Sequence, residues 1–143
     1  MDWITDQIAI GDYREAQDIK LITQHSFGSV LGLISTLMDV VPADIGVRRI
    51  EVITLLDGPG NSPSRFWKAV DLLEQLVVEA PPVLVHCRAG WSRSPAVVAG
   101  FLMQTRNLSA EQAMAAVAEK RAFTMVPELR ELLYTIPGNS RAD

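Results

Sequence analysis

Residues 83–95 read Val83-Leu84-Val85-His86-Cys87-Arg88-Ala89-Gly90-Trp91-Ser92-Arg93-Ser94-Pro95. Val83 to Val85 is an all-apolar run, the pattern of a central parallel strand buried on both faces. Ser94-Pro95 predicts a helix start, and the helix runs to about Thr105. A loop that leaves the C-terminal end of a parallel strand and enters a helix aims several backbone N–H groups at one point. The helix N-terminus adds partial positive charge there. Such a concavity binds an anion, and phosphate has the fitting size. Gly90 permits a tight backbone course with no Cβ in the way. Arg93 can fork onto two oxygens of the same anion. Cys87 stands at the origin of this field. A free thiol is only about 3% thiolate at neutral pH, and helix N-termini and neighbouring cations raise that fraction. The stretch therefore predicts a cysteine nucleophile beside a phosphate-sized anion site.

Working outward, strands and helices alternate. Gln7 to Ile10, Val30 to Ile34 and Ile50 to Leu56 read as strands. Asp12 with Glu15 predicts a capping box and a helix with Ala16, Ile19 and Ile22 on one face. Asp39 to Arg49 reads as a loop with room for one helical turn. Ser62-Pro63 opens a long helix whose Phe66, Val70, Leu73 and Val77 follow the 3.6-residue period. Ser109 and Gln112 form a second capping box, for a helix to about Lys120. Pro127 opens a last helix with Leu129, Leu132, Leu133 and Ile136 on one face, and residues 137–143 read as a frayed tail. This alternation predicts a single α/β domain: a central, mostly parallel sheet of four to five strands flanked by helices.

The stretch 86–95 resembles the signature of the protein tyrosine phosphatase superfamily, His-Cys-five residues-Arg-Ser/Thr. Serines on both sides of Arg93, followed by Pro95, make it similar to the dual-specificity phosphatases. The resemblance extends over about residues 3–136, carried by Ile4 to Gly11, Ala16, Val30-Leu31 and the helices after Arg93. It implies a cysteine-based phosphatase fold over the whole chain. It further implies hydrolysis of phosphate monoesters on phosphorylated proteins or peptides through a phosphocysteine intermediate, without metal or other cofactor. Cys87 is then the nucleophile and Arg93 the phosphate-binding side chain. Arg88, Ala89, Gly90, Trp91 and Ser92 contribute backbone N–H groups to the phosphate, and phosphate, sulfate or vanadate would occupy the same loop. His86 orders the loop from behind, and the Ser94 hydroxyl donates to the sulfur and eases its departure.

The family also needs a general acid on a separate loop. Asp57 stands thirty residues before Cys87, just after the Ile50–Leu56 strand, at about the family's usual distance. Its rival reading is a turn-forming aspartate before Gly58-Pro59-Gly60. Asp39 and Asp44 fit the distance less well. His25 reads as a solvated helix-end residue, and Arg65 as part of a solvated helix face although near the acid loop. Glu128 departs from the pattern, because the family often places Asn after the proline that opens the last helix.

Composition narrows the alternatives. The 143 residues are 48% hydrophobic and 21% charged, with net charge −4 and one cysteine. A disulfide framework and thiol relays within the chain are excluded, and nothing attracts the chain generally to nucleic acid or anionic membranes. The acidic N-terminus does not read as a signal peptide and no apolar run is membrane-length, so the expected compartment is reducing and cytoplasmic. A low-molecular-weight phosphatase or arsenate reductase carries its cysteine near the N-terminus. A rhodanese-like sulfurtransferase would not need Asp57 or the Arg93-Ser94 pair. Two readings stay beside the protein phosphatase: a phosphatase for a phosphoinositide or RNA phosphate, and a catalytically weak phospho-ligand binding module.

Overall fold

A computed structural model describes residues 1–135. Five strands, β1 (Asp2–Thr5), β2 (Ile8–Gly11), β3 (Ser29–Gly32), β4 (Arg49–Val52) and β5 (Val83–His86), form one sheet in the order β1-β2-β5-β3-β4. β2, β5, β3 and β4 are parallel, and β1 pairs antiparallel with β2 at the edge. The expected α/β architecture is present, and the strand that carries the cysteine lies in the middle of the sheet.

Side-chain alternation splits the core in two. Ile8, Ile10, Leu31, Val83 and Val85 face a large cluster under α2 (Pro63–Glu79), α3 (Arg93–Arg106) and α4 (Ala110–Lys120). Ala9, Val30 and Leu84 face a smaller cluster under α1 (Ile19–Gln24), with Ile22, Phe27 and Leu37. A strand covered on both sides has no polar face to show, which is why Val83 to Val85 is uninterrupted. α2 and α3 pack side by side on the large cluster.

The N-terminal region departs most from expectation. β1 was not anticipated: of its four residues only Ile4 is buried, so it carries no alternating signal. The Asp12–Glu15 capping box forms, with Asp12 Oδ1 accepting from the Glu15 N–H (2.8 Å) and Glu15 Oε1 accepting from the Asp12 N–H (2.9 Å). It does not open one helix. A three-residue 3₁₀ turn, Glu15–Gln17, stops at Asp18, whose extended backbone starts α1 afresh with its carboxylate capping the Leu21 N–H. Ile19 is consequently exposed, not part of an apolar face.

Elsewhere the boundaries move. The strand expected over 50–56 ends at Val52, and the chain to Leu55 stays attached through Ile53 N–H to Gly32 O and Leu55 N–H to Leu33 O. The 39–49 segment contains a 3₁₀ turn, Pro42–Ile45, as expected, and a second turn, Ser35–Leu37, precedes it. Ser62 caps α2 and the Ser109–Gln112 box caps α4 as expected. Ser94 does not cap α3; Ser92 holds that position and Ser94 lies buried inside the first turn. The last helix, α5 (Pro127–Leu132), buries Leu129 and Leu132, while Ile136 and the 137–143 tail lie outside the described residues.

Leu84 is fully buried on β5 and Val78 is an exposed apolar residue on α2. Leu84→Ala is expected to destabilise the fold by about 2–5 kcal/mol, the range for emptying a buried leucine site. Val78→Ala should stay within about 0.5 kcal/mol. Urea unfolding of the two variants checks the contrast.

Candidate active site

β5 ends at His86, level with Gly11 of β2 and Gly32 of β3. Glycine at position 32 is a matter of space: a Cβ there would stand 3.0 Å from His86 Nε2. The His86 ring is fully buried, and its Nδ1 lies 3.2 Å from the Cys87 carbonyl. A carbonyl can only accept, so Nδ1 carries the proton and Nε2 is a bare acceptor with no hydrogen-bond partner. Burial pushes the imidazole below its ordinary value, against smaller opposing effects of the Cys87 carbonyl and Asp12. His86 is therefore neutral and holds the first peptide of the loop.

The loop that follows is shaped by what happens to its carbonyls. Arg88 O accepts from the Tyr13 N–H (3.0 Å), and Trp91 O accepts from the Thr124 N–H (2.9 Å). Between them, Ala89 O and Gly90 O accept from Arg121 Nη2 (3.2 Å) and Nε (2.9 Å). All four carbonyls are thus held by donors from outside the loop. Among the described residues, no N–H of residues 88–92 donates to a protein acceptor. Gly90 has φ +74°, and an added Cβ would stand 2.8 Å from Gly11 O, so both backbone sign and space require glycine.

Arg121 was not singled out in the sequence. It closes α4 and looks there like an ordinary last-turn cation. Its side chain is only 9% exposed and also binds Asp2 (2.9 Å) and Ile10 O (3.3 Å), tying the loop to β1 and β2. Ser92 Oγ accepts from the Val126 N–H (3.1 Å), anchoring the loop to the start of α5 two residues before Glu128.

Asp57, Cys87 and Arg93 line one cleft of about 290 Å³, together with Ala89, Trp91 and Thr124. Arg88 and Ser92 are also in its wall; Gly90 is buried behind it, and neither Asp39 nor Asp44 lines it. Cys87 is 2% exposed. Arg93 donates from Nη1 to Leu55 O (3.2 Å), two residues before Asp57, and its buried Nε has no protein partner. The exposed Asp57 sits on a pinned loop. Asn61 exchanges two hydrogen bonds with the Leu56 backbone (2.8 and 2.7 Å). Arg65, expected on a solvated face, instead binds Thr54 O (2.8 Å) and Thr54 Oγ1 (3.0 Å). The buried Ser94 Oγ makes no hydrogen bond, so the contact with the sulfur that the family resemblance implies is not formed in this state. His25 packs against Trp3 and Phe27, which belong to the smaller cluster, and does not line this cleft. Among the described residues, no group of three His, Cys, Asp or Glu side chains is placed to hold a metal ion.

Residues 9–135 match the family described as the dual specificity phosphatase catalytic domain. The chain belongs to this family. Mouse dual specificity protein phosphatase 19 is 31% identical over 115 residues, 80% of this chain and 51% of that protein. Dual specificity protein phosphatase 1 of Arabidopsis thaliana is 26% identical over 118 residues, 82% of this chain and 59% of that protein. The chain thus spans about half the length of these curated relatives. The rat protein named phosphatidylglycerophosphatase and protein-tyrosine phosphatase 1 is 44% identical over a shorter stretch, 52 residues, 36% of this chain and 27% of that protein. Among solved structures, human DUSP28 superposes with TM-score 0.82 at 20% identity, covering 99% of both chains. A mouse putative dual specificity phosphatase solved with zinc tungstate gives 0.82 at 21% identity, covering 99% of this chain and 88% of that one.

Two outcomes follow from the loop's supports. Arg121→Met should cost about 1.5–3 kcal/mol, the range for hydrogen bonds to a charged group, and weaken vanadate binding, measured by urea unfolding and by titration. His86 has its folded value depressed, so its contribution to stability is present above the unfolded value near 6.5 and is lost as pH falls from there towards the folded value. The unfolding midpoint should therefore drop between pH 7.5 and 5, and His86→Asn should flatten that drop.

Proposed function

We propose that this chain is a cysteine-dependent phosphatase that hydrolyses phosphate monoesters, with phosphotyrosine and phosphoserine or phosphothreonine of proteins as substrates. The observation that carries the reading is that Asp57, thirty residues before Cys87, lines the same cleft as Cys87 and Arg93. Membership of the dual specificity phosphatase family supports it.

The chemistry runs in two steps. The Cys87 thiolate attacks phosphorus in line with the leaving oxygen. The S–P bond forms, the P–O bond breaks, and protonated Asp57 gives its proton to the departing oxygen. Water then attacks the phosphocysteine while the Asp57 carboxylate takes a proton from it. The S–P electrons return to sulfur and inorganic phosphate leaves. Through both steps Arg93 and the unpaired N–H groups of residues 88–92 carry the charge of the equatorial oxygens, donors fixed before the reaction begins. The Ser94 hydroxyl, which has no protein partner, is the donor for the sulfur as it departs in the second step. The same cradle takes phosphate, sulfate or vanadate. The site works with a reduced thiol, which fits a reducing compartment such as the cytoplasm, and no described helix is long and apolar enough to cross a membrane.

A second reading keeps the chemistry and changes the substrate to a phospholipid headgroup, favoured by the 52-residue likeness to the rat phosphatase above. A panel of phosphotyrosine and phosphothreonine peptides, a phosphoinositide and an RNA 5′-phosphate separates the two readings by kcat/KM.

Cys87→Ser should abolish turnover of an aryl phosphate, because an alcohol is scarcely ionised at neutral pH; substantial residual turnover would sink the mechanism. Asp57→Asn should lower kcat by roughly 10²–10⁴, the usual contribution of a positioned acid–base group. A loss below tenfold, with chemistry rate-limiting, would move the acid to another residue.

A further inference from the structure

A second depression adjoins the catalytic cleft. It measures about 260 Å³ and is lined by Trp91, Ala122, Phe123 and Thr124. Trp91 and Thr124 also line the catalytic cleft, so the two spaces share a wall. None of the four residues is charged, whereas the catalytic cleft holds Arg88, Arg93 and Asp57. The pair of spaces carries charged side chains where a phosphate would sit and none immediately beside it.

The apolar wall is held in place. Trp91 is 60% exposed, so much of its ring surface is open to a ligand. Its backbone is nevertheless fixed, because its carbonyl accepts from the Thr124 N–H. Phe123 is half-buried and packs against the main core. Ala122 is exposed and small, and lines the depression beside the two aromatic residues. A volume of about 260 Å³ falls just below the ~300–1,000 Å³ of pockets for whole small ligands, and it suits a single large side chain.

We infer that this depression is a specificity subsite for an apolar or aromatic side chain next to the phosphorylated residue of a substrate peptide. The inference rests on the phosphatase reading above for the placement of the phosphate. The shared wall points to the occupant: a side chain next to the group whose phosphate lies over Cys87 is within reach of the depression. The absence of charge among its lining residues selects an apolar neighbour over an acidic or basic one.

The test measures binding and turnover separately. Phosphotyrosine peptides carrying Phe or Ser immediately before or after the phosphoresidue are titrated against Cys87→Ser by calorimetry and assayed for turnover with the wild-type protein. One flanking Phe is expected to tighten Kd by about tenfold over Ser and to lower KM rather than raise kcat. Phe123→Ala should erase that preference and leave turnover of para-nitrophenyl phosphate unchanged. Ala122→Glu, at an exposed position that does not disturb the core, should erase it too. Equal affinity for the Phe and Ser peptides within twofold overturns the subsite, as does a preference that survives both substitutions. A phosphoinositide that binds more tightly than either peptide and weakens on Phe123→Ala overturns the peptide assignment. Failure of the wild-type protein to hydrolyse any aryl phosphate would strike the phosphatase reading instead, and the calorimetry on Cys87→Ser would still decide the subsite.

Discussion

The site depends on the outward pull on four consecutive carbonyls. Peptide groups carry their N–H and C=O on opposite sides, so holding the carbonyls of residues 88–91 on donors outside the loop leaves the neighbouring N–H groups on the other side, without protein acceptors among the described residues. A short loop has no means of holding such an arrangement by itself. Its own dipoles repel one another, and a flexible chain would turn them to water. The donors that prevent this come from Tyr13, Arg121 and Thr124, three segments outside the loop. The anion site is thus made of backbone in the loop and paid for by the tertiary fold.

The loop that carries Asp57 is built on a related plan. Asn61 and Arg65 bind backbone carbonyls on either side of residue 55, and Arg93 binds Leu55 itself. The side chain expected to grip phosphate therefore also senses where the acid loop lies. An acid carried on a wandering loop would be mismatched to the sulfur below it; three side chains reduce that freedom. These ties fix the backbone and leave Asp57 exposed on the wall of the cleft.

Much of this was legible in the chain. The Val83–Val85 run located the central strand because a doubly covered strand has no polar face. Cys87 and Arg93 were expected together from the chemistry of an anion loop and Asp57 from the spacing that the family resemblance implies, and the three line one cleft. What escaped notice has physical causes. β1 is an edge strand with one buried residue, so it lacks a period to detect. Asp18 restarts a helix that the Asp12 box seemed to open, because a cap signals a beginning and says nothing about length. Arg121 and Arg65 act by long-range contact with carbonyls, and any carbonyl will accept; no local pattern distinguishes such an arginine from one that is merely solvated. Ser94 was read as a cap because serine before proline has that pattern, and a two-residue shift in the helix start placed it inside the first turn instead.

The Arg121 network joins Asp2, Ile10, Ala89 and Gly90, residues drawn from the beginning, middle and later part of the chain. A polypeptide emerging from the ribosome displays the cysteine motif some thirty residues before Arg121 follows it out. Through that interval the thiol exists without its cradle. Chain closure of this span is among the slower events of folding, because contacts so distant in sequence carry the largest loop-closure cost. The loop's backbone arrangement therefore arrives with completion of the domain, and a nascent or partly unfolded chain carries the Cys87 thiol without it.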